Sequence, residues 1–392
     1  MARRIITGID IGSYTVRTVI TEYTGEEAHP RILGMGRAES RGMRHGYVLN
    51  IPEVVRSIQS SVAEAEQAAG LKIRDAYISI GGIGLEGTQC HGATIISRAD
   101  TEITHADIER AHRATEAALP HATNKRILIS VPIEYRIDGK RVYGRPSGMR
   151  GLKLETSMLI VTCLEQHLND LITAVEQAGI DVVDAMASPI AASFVALSKA
   201  QKMPGCVLAN IGAETLSIVV YEDGIPISLE VFPVGSSDIT NDIALGLRIP
   251  LEEAERVKIG KGSANPLAKK KMSEIVEVRL AAMFELISAH LKKIGKHELL
   301  PGGIILTGGG SGLETIEDLA RAIMRLPSRI PASPAFISPQ GKTKRQIKDS
   351  TWFVAYGLCV WGVTAIPDPV PAVTTFSSLK KRIGDLFKQI LP

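Results

Sequence analysis

The chain has 392 residues and a formal net charge of +3, with 45% hydrophobic and 22% charged residues. This balance excludes a disordered chain, and the length accommodates several domains. Residues 377–392 hold four basic residues and one acidic residue, so the remainder is neutral and a nucleic-acid-binding face is not expected. The four cysteines have no disulfide or metal-ligand spacing, which is typical of a reducing cytoplasm.

The first predicted unit is β-β-β-α-β. Two β-branched runs, 5–12 and 15–22, are separated by Gly-Ser, which predicts a hairpin. A third strand is predicted at 31–38. Helical periodicity follows at 51–69, with Pro in the first turn and Gly just past the end, and a strand at 74–82 closes the unit.

Residues 83–163 have a different pattern of predicted elements, which indicates a small α+β insert. Strands are predicted at 92–97, 126–137 and 154–162, around one helix at 105–118 that "THAD" introduces as a capping box.

The chain then returns to longer elements and repeats the opening hairpin from residue 206. The predicted elements are a helix at 165–178, a strand at 181–186, a helix at 189–199, a third strand "IPISLEVFPVG", helices at 236–247, 251–259 and 268–294, a strand with a glycine turn at 302–313, and a long loop at 327–349. Residues 350–367 carry no charge; a buried helix is favoured there over a transmembrane segment, for which the run is barely long enough.

The repeated hairpin is the main organisational feature. "IDIGSYTVRTVIT" and "ANIGAETLSIVVYE" align with the pairs Ile11/Ile211, Gly12/Gly212, Thr15/Thr215 and Val19/Val219, whereas Asp10 aligns with Asn210. The chain is therefore expected to contain two similar halves, each opening with a strand–turn–strand.

Paired glycine turns suggest a site for a polyphosphate. A turn of Gly and a small hydroxyl residue exposes backbone N–H groups, and two such turns can hold one phosphate chain from both sides of a cleft. A carboxylate before the turn can hold Mg²⁺ or its waters. One turn by itself is weak evidence, because most Gly-Ser hairpins only reverse the chain.

Two further features fit a nucleoside. "LTGGGSGL" has no side chain at three successive positions, so a purine or ribose can approach its backbone closely, although it can equally be a simple strand-to-helix turn. Glu255 and Lys258 lie three residues apart on one helix face. A solvated ion pair is the alternative for these two side chains.

The C-terminal segment is amphipathic and follows a proline-rich linker at 367–378. One predicted helix face is apolar and the other basic, which favours a membrane-surface helix over a terminal helix docked on the body. The residues concerned are Leu379, Ile383, Leu386, Phe387, Ile390 and Leu391 on the apolar face, and Lys380, Lys381, Arg382 and Lys388 on the basic face.

These motifs resemble a known family. "GIDIGS", "NIGAET" and "LTGGGS" are similar to the phosphate 1, phosphate 2 and adenosine motifs of the actin, sugar kinase and heat-shock chaperone superfamily. Within it, "YRIDGKR…SGMRGLKLE", residues 233–262 and the basic amphipathic tail resemble the FtsA family of bacterial cell-division proteins, over nearly the whole chain.

The resemblance implies an α/β, actin-like fold of two related halves around a nucleotide cleft, with a small α+β insert and a C-terminal amphipathic helix. It implies the following division: subdomain 1A at 1–82, 164–205 and 350–366; an inserted subdomain 1C at 83–163; subdomain 2A at 206–240 and 296–349; subdomain 2B at 241–295; a linker at 367–378; and a membrane-targeting helix at 379–392.

The resemblance also implies ATP and Mg²⁺ as cofactors. The residues it assigns are Asp10, Gly12, Ser13, Tyr14 and Thr15 in the first phosphate turn, with Asp10 holding Mg²⁺ through water; Asn210, Gly212, Ala213, Glu214 and Thr215 in the second; Gly308, Gly309, Gly310 and Ser311 along the nucleoside; and Glu255 and Lys258 near adenine and ribose.

Several positions depart from the family pattern. Asn210, Ala213 and Glu214 replace the Asp, Gly and Gly of the usual second turn, Thr15 stands where lysine is common, and Ser188 stands where many relatives have glutamate. Asn210, at the catalytic position, cannot take a proton, and Glu214 adds a negative charge near the γ-phosphate. We therefore expect ATP binding with weak or no hydrolysis.

The family further implies a protein that polymerises on the cytoplasmic face of the cell membrane at the division site and tethers the tubulin-like division protein FtsZ there. In the family that contact lies on the region corresponding to 241–295. Two alternatives stay open: a small-molecule kinase or phosphatase of the same superfold, which needs an acidic base, and a peptide-binding relative of the pilus-assembly protein PilM, which needs no basic tail.

Overall fold

The structure is a computed structural model and describes residues 3–25, 27–121, 123–261, 266–331 and 349–364. The predicted linker and membrane helix, 367–392, lie outside the described residues.

The first half and its insert come first in the chain. Their elements are β1 (Arg4–Ile11), β2 (Thr15–Tyr23), β3 (Arg31–Glu39), β4 (Met43–Arg44), β5 (Tyr47–Val48), α1 (Ile51–Ala69), β6 (Asp75–Ile80), β7 (Glu86–Ile95), α2 (His105–Ala117), β8 (Lys125–Ile137), β9 (Lys140–Val142), β10 (Lys153–Leu164), α3 (Glu165–Gln177), β11 (Asp181–Ala187), α4 (Ser188–Ala196) and α5 (Lys199–Lys202).

The second half follows, and the chain then returns to the first. The elements are β12 (Cys206–Ile211), β13 (Leu216–Glu222), β14 (Ile225–Phe232), α6 (Ser236–Leu247), α7 (Leu251–Lys258), α8 (Pro266–Lys293), β15 (Ile304–Thr307), α9 (Ile316–Met324), β16 (Ser328–Arg329) and α10 (Phe353–Thr364), with 3₁₀ turns at Gly309–Gly312 and Ser350–Trp352.

The two halves have the same sheet topology. The first sheet has the strand order β3-β2-β1-β6-β11, and the second has the order β14-β13-β12-β15-β16. In each sheet the first three strands are antiparallel and the last three are parallel. The predicted duplication is confirmed, and it places the glycine turns after β1 and β12 at equivalent edges of the two sheets.

The insert forms its own antiparallel sheet, in the order β7-β10-β8-β9, and α2 packs on β7 and β10. The predicted capping box is present, because the Thr104 N–H donates to the Asp107 carboxylate at 2.8 Å. The insert also contacts the second half, where the Gln89 side-chain amide donates to the Ile227 carbonyl oxygen at 2.8 Å.

The uncharged segment before residue 365 is a buried helix, as predicted. α10 packs against α4 and the first sheet so closely that a Cβ on Gly8 would lie 2.1 Å from the Ala355 carbonyl oxygen. Apolar side chains of both five-stranded sheets and α10 belong to one continuous core. In the part of the chain that the structure describes, no helix has the length and apolarity required to cross a membrane.

Candidate functional site

The two glycine turns have the same local geometry. The Gly12 N–H donates to the Thr15 carbonyl oxygen at 3.3 Å, and the Gly212 N–H donates to that of Thr215 at 2.8 Å. A Cβ on either glycine would lie 3.0 Å from that same oxygen, so both turns favour glycine. The duplicated sequence therefore produces duplicated turns.

A narrow cavity of about 140 Å³ lies between these turns. It brings together most of the residues predicted to hold phosphate: Asp10, Gly12, Ser13, Tyr14, Thr15, Asn210, Gly212, Ala213, Glu214, Thr215, Gly308 and Gly309. Ser188 lines it as well. The two halves thus face each other across the predicted polyphosphate position.

The third glycine turn crosses directly beside Asn210. Gly308 has a φ of +85°, and a Cβ there would lie 2.4 Å from Asn210 Oδ1. Only glycine satisfies both the left-handed backbone and this close approach. The Ser311 hydroxyl, predicted to line the nucleoside, instead donates to the Gly308 carbonyl oxygen at 2.7 Å, and Ser311 lines neither cavity.

Asp10 is the carboxylate at the base of the narrow cavity. The Ser79 hydroxyl donates to Asp10 Oδ1 at 2.7 Å, and Arg17 is its neighbour across the β1–β2 ladder. Burial raises the pKa of the Asp10 carboxyl, while Arg17 and Ser79 act in the opposite direction. Among the described residues, no group of three or more His, Cys, Asp or Glu side chains could hold a metal ion.

Arg17 is a site residue that the sequence reasoning missed. It lines the narrow cavity and the larger one beside it, and its guanidinium carbon lies 5.8 Å from the centre of the Trp352 ring. Burial lowers the pKa of this guanidinium, whereas Asp10 and Asp349 raise it. The alternation of side chains along a strand could have identified it, because residue 17 lies on the same face of β2 as residue 15, the position where lysine is common in the family.

The larger cavity has a volume of about 1100 Å³ and adjoins the narrow one through Tyr14, Thr15, Arg17, Ser236 and Gly309. Small-molecule sites commonly measure about 300–1,000 Å³, so this space is ample for a nucleoside. Its lining includes the remaining predicted residues Glu255, Lys258 and Gly310.

Glu255 and Lys258 do not form the solvated pair that was the alternative. The side chain of Lys258 is only 6% exposed, and its Nζ lies 2.6 Å from Glu255 Oε2. The same Nζ donates to the Ser236 carbonyl oxygen at 3.1 Å and to the Thr240 hydroxyl at 2.8 Å. The pair is therefore fixed against α6 at the wall of the larger cavity.

Glu214 reaches across the cleft. Its Oε2 accepts a hydrogen bond from the His45 backbone N–H at 2.5 Å, and its carbonyl oxygen lies 3.2 Å from His45 Nδ1. Beside this contact, the Ser13 hydroxyl oxygen accepts from the Gly46 N–H at 3.0 Å. No sequence pattern pointed to His45, because the β4–β5 hairpin that carries it was not predicted.

Two five-stranded sheets of the same topology, one in each half, flank a glycine-lined cleft, and this arrangement defines an actin-like fold. Solved structures share it: the PilM–PilN type IV pilus biogenesis complex aligns with a TM-score of 0.70 at 17% identity, over 91% of this chain and 98% of that one. MreB5 of Spiroplasma citri aligns with a TM-score of 0.53 at 12% identity, over 92% and 97%.

Sequence comparison gives the family. The chain is 30% identical to the cell division protein FtsA of Pseudomonas aeruginosa over 96% of this chain and 93% of that protein. It is 31% identical to FtsA of Borreliella burgdorferi over 84% and 85%. Residues 207–357 match the cell division protein FtsA family, and residues 82–162 match the SHS2 domain inserted in FtsA. The chain belongs to the FtsA family of cell-division proteins.

Proposed function

We propose that this protein binds ATP in the cleft, polymerises on the cytoplasmic face of the cell membrane at the division site, and anchors the tubulin-like protein FtsZ there. The observation that carries the proposal is the pair of equivalent glycine turns facing one narrow cavity, with a nucleoside-sized cavity adjoining it. Solved structures of MreB5 with the same fold are bound to ADP and to AMPPNP, which supports a nucleotide as the ligand.

The residues present fit Mg-ATP. The turns at Gly12 and Gly212 would hold the phosphates through backbone N–H groups, and Asp10 would hold the waters of Mg²⁺, which commonly takes one or two carboxylates together with substrate phosphates. Bound Mg²⁺ would neutralise phosphate charge. Arg17 would supply a second positive charge, and Glu255 and Lys258 would contact ribose and adenine.

Hydrolysis is proposed to be slow or absent. Asn210 cannot accept a proton, Ser188 supplies no acid, and the Glu214 carboxylate already accepts from the His45 backbone. Loss of one positioned acid or base typically lowers a rate by about 10²–10⁴-fold. The nucleotide would then serve mainly to hold the two halves in one arrangement.

Membrane attachment is proposed to depend on the tail at 379–392 and on polymerisation. A single short amphipathic helix binds reversibly, and each Lys or Arg near anionic lipid contributes about 1 kcal/mol. Many tails on one filament raise the overall affinity without any new contact. The subdomain division, and the FtsZ contact at 241–295, remain parts of this proposal.

The test is electron microscopy on anionic lipid monolayers, comparing the full chain with a chain truncated after Phe376, each with and without Mg-ATP. We expect filaments only when the tail and ATP are both present, and little released phosphate in the same samples. A protein that stays monomeric and off the lipid in every condition would overturn the proposal, and the peptide-binding alternative would then lead. Brisk phosphate release would overturn the slow hydrolysis alone.

A further inference from the structure

The carboxylate of Glu214 is fixed by a hydrogen bond across the cleft. It lies in the second glycine turn and accepts from the His45 N–H at 2.5 Å. Glu214 therefore joins the two halves of the molecule at the edge of the narrow cavity that it lines.

The donor side of this contact is a two-residue turn with an unusual backbone. His45 and Gly46 connect β4 and β5 with φ values of +48° and +84°. The His45 N–H is bonded to the Glu214 carboxylate and the Gly46 N–H to the Ser13 hydroxyl, so the turn fixes the Glu214 carboxylate at the edge of the narrow cavity.

The turn is held rigidly in this position. A Cβ on Gly46 would lie 2.3 Å from the Cα of Gly82, so the two backbones are in direct contact. The Ile83 N–H also donates to the His45 carbonyl oxygen at 3.3 Å. The backbone that holds the Glu214 carboxylate is therefore itself held by neighbouring backbone.

The charged side chains that line the narrow cavity oppose the binding of a third phosphate. Its charged lining residues, among those the structure describes, are Asp10 and Glu214 against Arg17. A third phosphate adds negative charge at the place where Glu214 already contributes one, in a space of about 140 Å³. Like charges that share a small space and are partly removed from water repel each other.

We propose that Glu214 sets the nucleotide preference of the cleft: its carboxylate, fixed at the edge of the narrow cavity by the His45 N–H, favours a nucleoside diphosphate over a triphosphate. This inference rests on the proposed nucleotide function. It also gives Glu214 a second role, because the same hydrogen bond links the two halves when no nucleotide is present.

The test compares the full-length chain with Glu214→Gln and Glu214→Gly by titration calorimetry with Mg-ADP and Mg-AMPPNP. The wild-type protein should bind the diphosphate more tightly. Glu214→Gln should shift the affinity ratio toward the triphosphate on the order of tenfold, while diphosphate affinity changes less than about threefold. Glu176→Gln, an exposed carboxylate on α3, is the matched control and should change neither affinity.

Hydrogen exchange in the nucleotide-free protein gives an independent readout. Glu214→Gly should speed exchange of the His45 amide on the order of tenfold or more, since its acceptor is removed. An unchanged affinity ratio in Glu214→Gln, or equal His45 exchange in both proteins, overturns the inference. If neither the wild-type protein nor the variant binds either nucleotide, the proposed nucleotide function itself is overturned.

Discussion

Asp184 shows how one buried acid makes the stability of this fold depend on pH. It lies on β11 with 9% of its surface exposed, and its Oδ1 accepts from the Ala185 N–H at 2.7 Å. Burial raises the pKa of this carboxyl from 3.8 to about 7. The folded state therefore binds the proton more tightly than the unfolded chain. The stability that neutral Asp184 contributes is complete below pH 3.8 and is lost as pH rises through about 7.

Replacing this acid with its amide should remove that dependence. The stability advantage of Asp184→Asn over the wild type should increase by about 2–3 kcal/mol between pH 5 and pH 8, measured by urea unfolding. Glu176→Gln, at an exposed position on α3, is the control and should show no such increase. An advantage that is equal at both pH values would mean that packing, and not ionisation, separates the two proteins.

Individual site residues were predictable where their role is local. The glycine turns follow from sequence because their backbone conformation is set within four residues. Arg17 and His45 were missed for different reasons. Arg17 reaches the cleft only through the pairing of β2 with β1. His45 contacts Glu214, which lies 169 positions further along the chain. No spacing rule joins residues that lie in different halves of the chain.

Among the elements, α10 contains a glycine, Gly357, at which the packing leaves no room for a side chain. A Cβ on Gly357 would lie 1.9 Å from the Ala191 carbonyl oxygen of α4. Helix propensity alone would make Gly357→Ala stabilising by about 0.5–1 kcal/mol. The overlap with backbone should reverse that sign.

We therefore expect Gly357→Ala to lower the free energy of unfolding by about 1–3 kcal/mol, measured by urea denaturation. Gly312→Ala is the matched control, because a Cβ there meets nothing within 4 Å, and it should change stability by less than about 0.5 kcal/mol. A Gly357→Ala protein as stable as the wild type would show that α4 and α10 can separate without loss.

Elements with clear end signals were predicted closely, and short or polar ones were not. α1 begins after Asn50, whose side chain accepts from the Glu53 N–H, and ends at Gly70 in the left-handed conformation, so its predicted bounds are confirmed. β7 begins at Glu86 although a strand was predicted only from residue 92. Its polar, glycine-containing first half becomes a strand through pairing with β10, a long-range contact that local pattern does not reveal.

At the scale of the whole molecule, two sheets with one topology share one core. The repeated hairpin predicted the duplication, but the strand order is set by the crossovers from β1 to β6 and from β12 to β15, whose pairing partners no periodicity identifies. The single core spanning both halves means that neither half buries its apolar surface alone.

The outer part of the insert, around α2, should open more easily than the two halves. Beneath α2 lie two small apolar clusters that are separate from the main core, formed by Cys90, Leu119, Met158 and Ile160, and by Ile96, Ile103, Ala111 and Leu154. Segments with few buried apolar contacts open locally at free energies below that of global unfolding. Amides of α2 should therefore exchange with an opening free energy lower than that of β1 and β12 by about 2 kcal/mol or more.

Native-state hydrogen exchange at increasing urea measures this difference directly. Opening of α2 should show a weaker urea dependence than opening of β12, because a local opening exposes less surface than global unfolding. A ligand in the cleft should then raise the protection of β1 and β12 and leave α2 unchanged, since binding stabilises only against openings that destroy the site. Equal free energies and equal urea dependence in α2 and β12 would instead make the insert part of the same cooperative unit as the cleft.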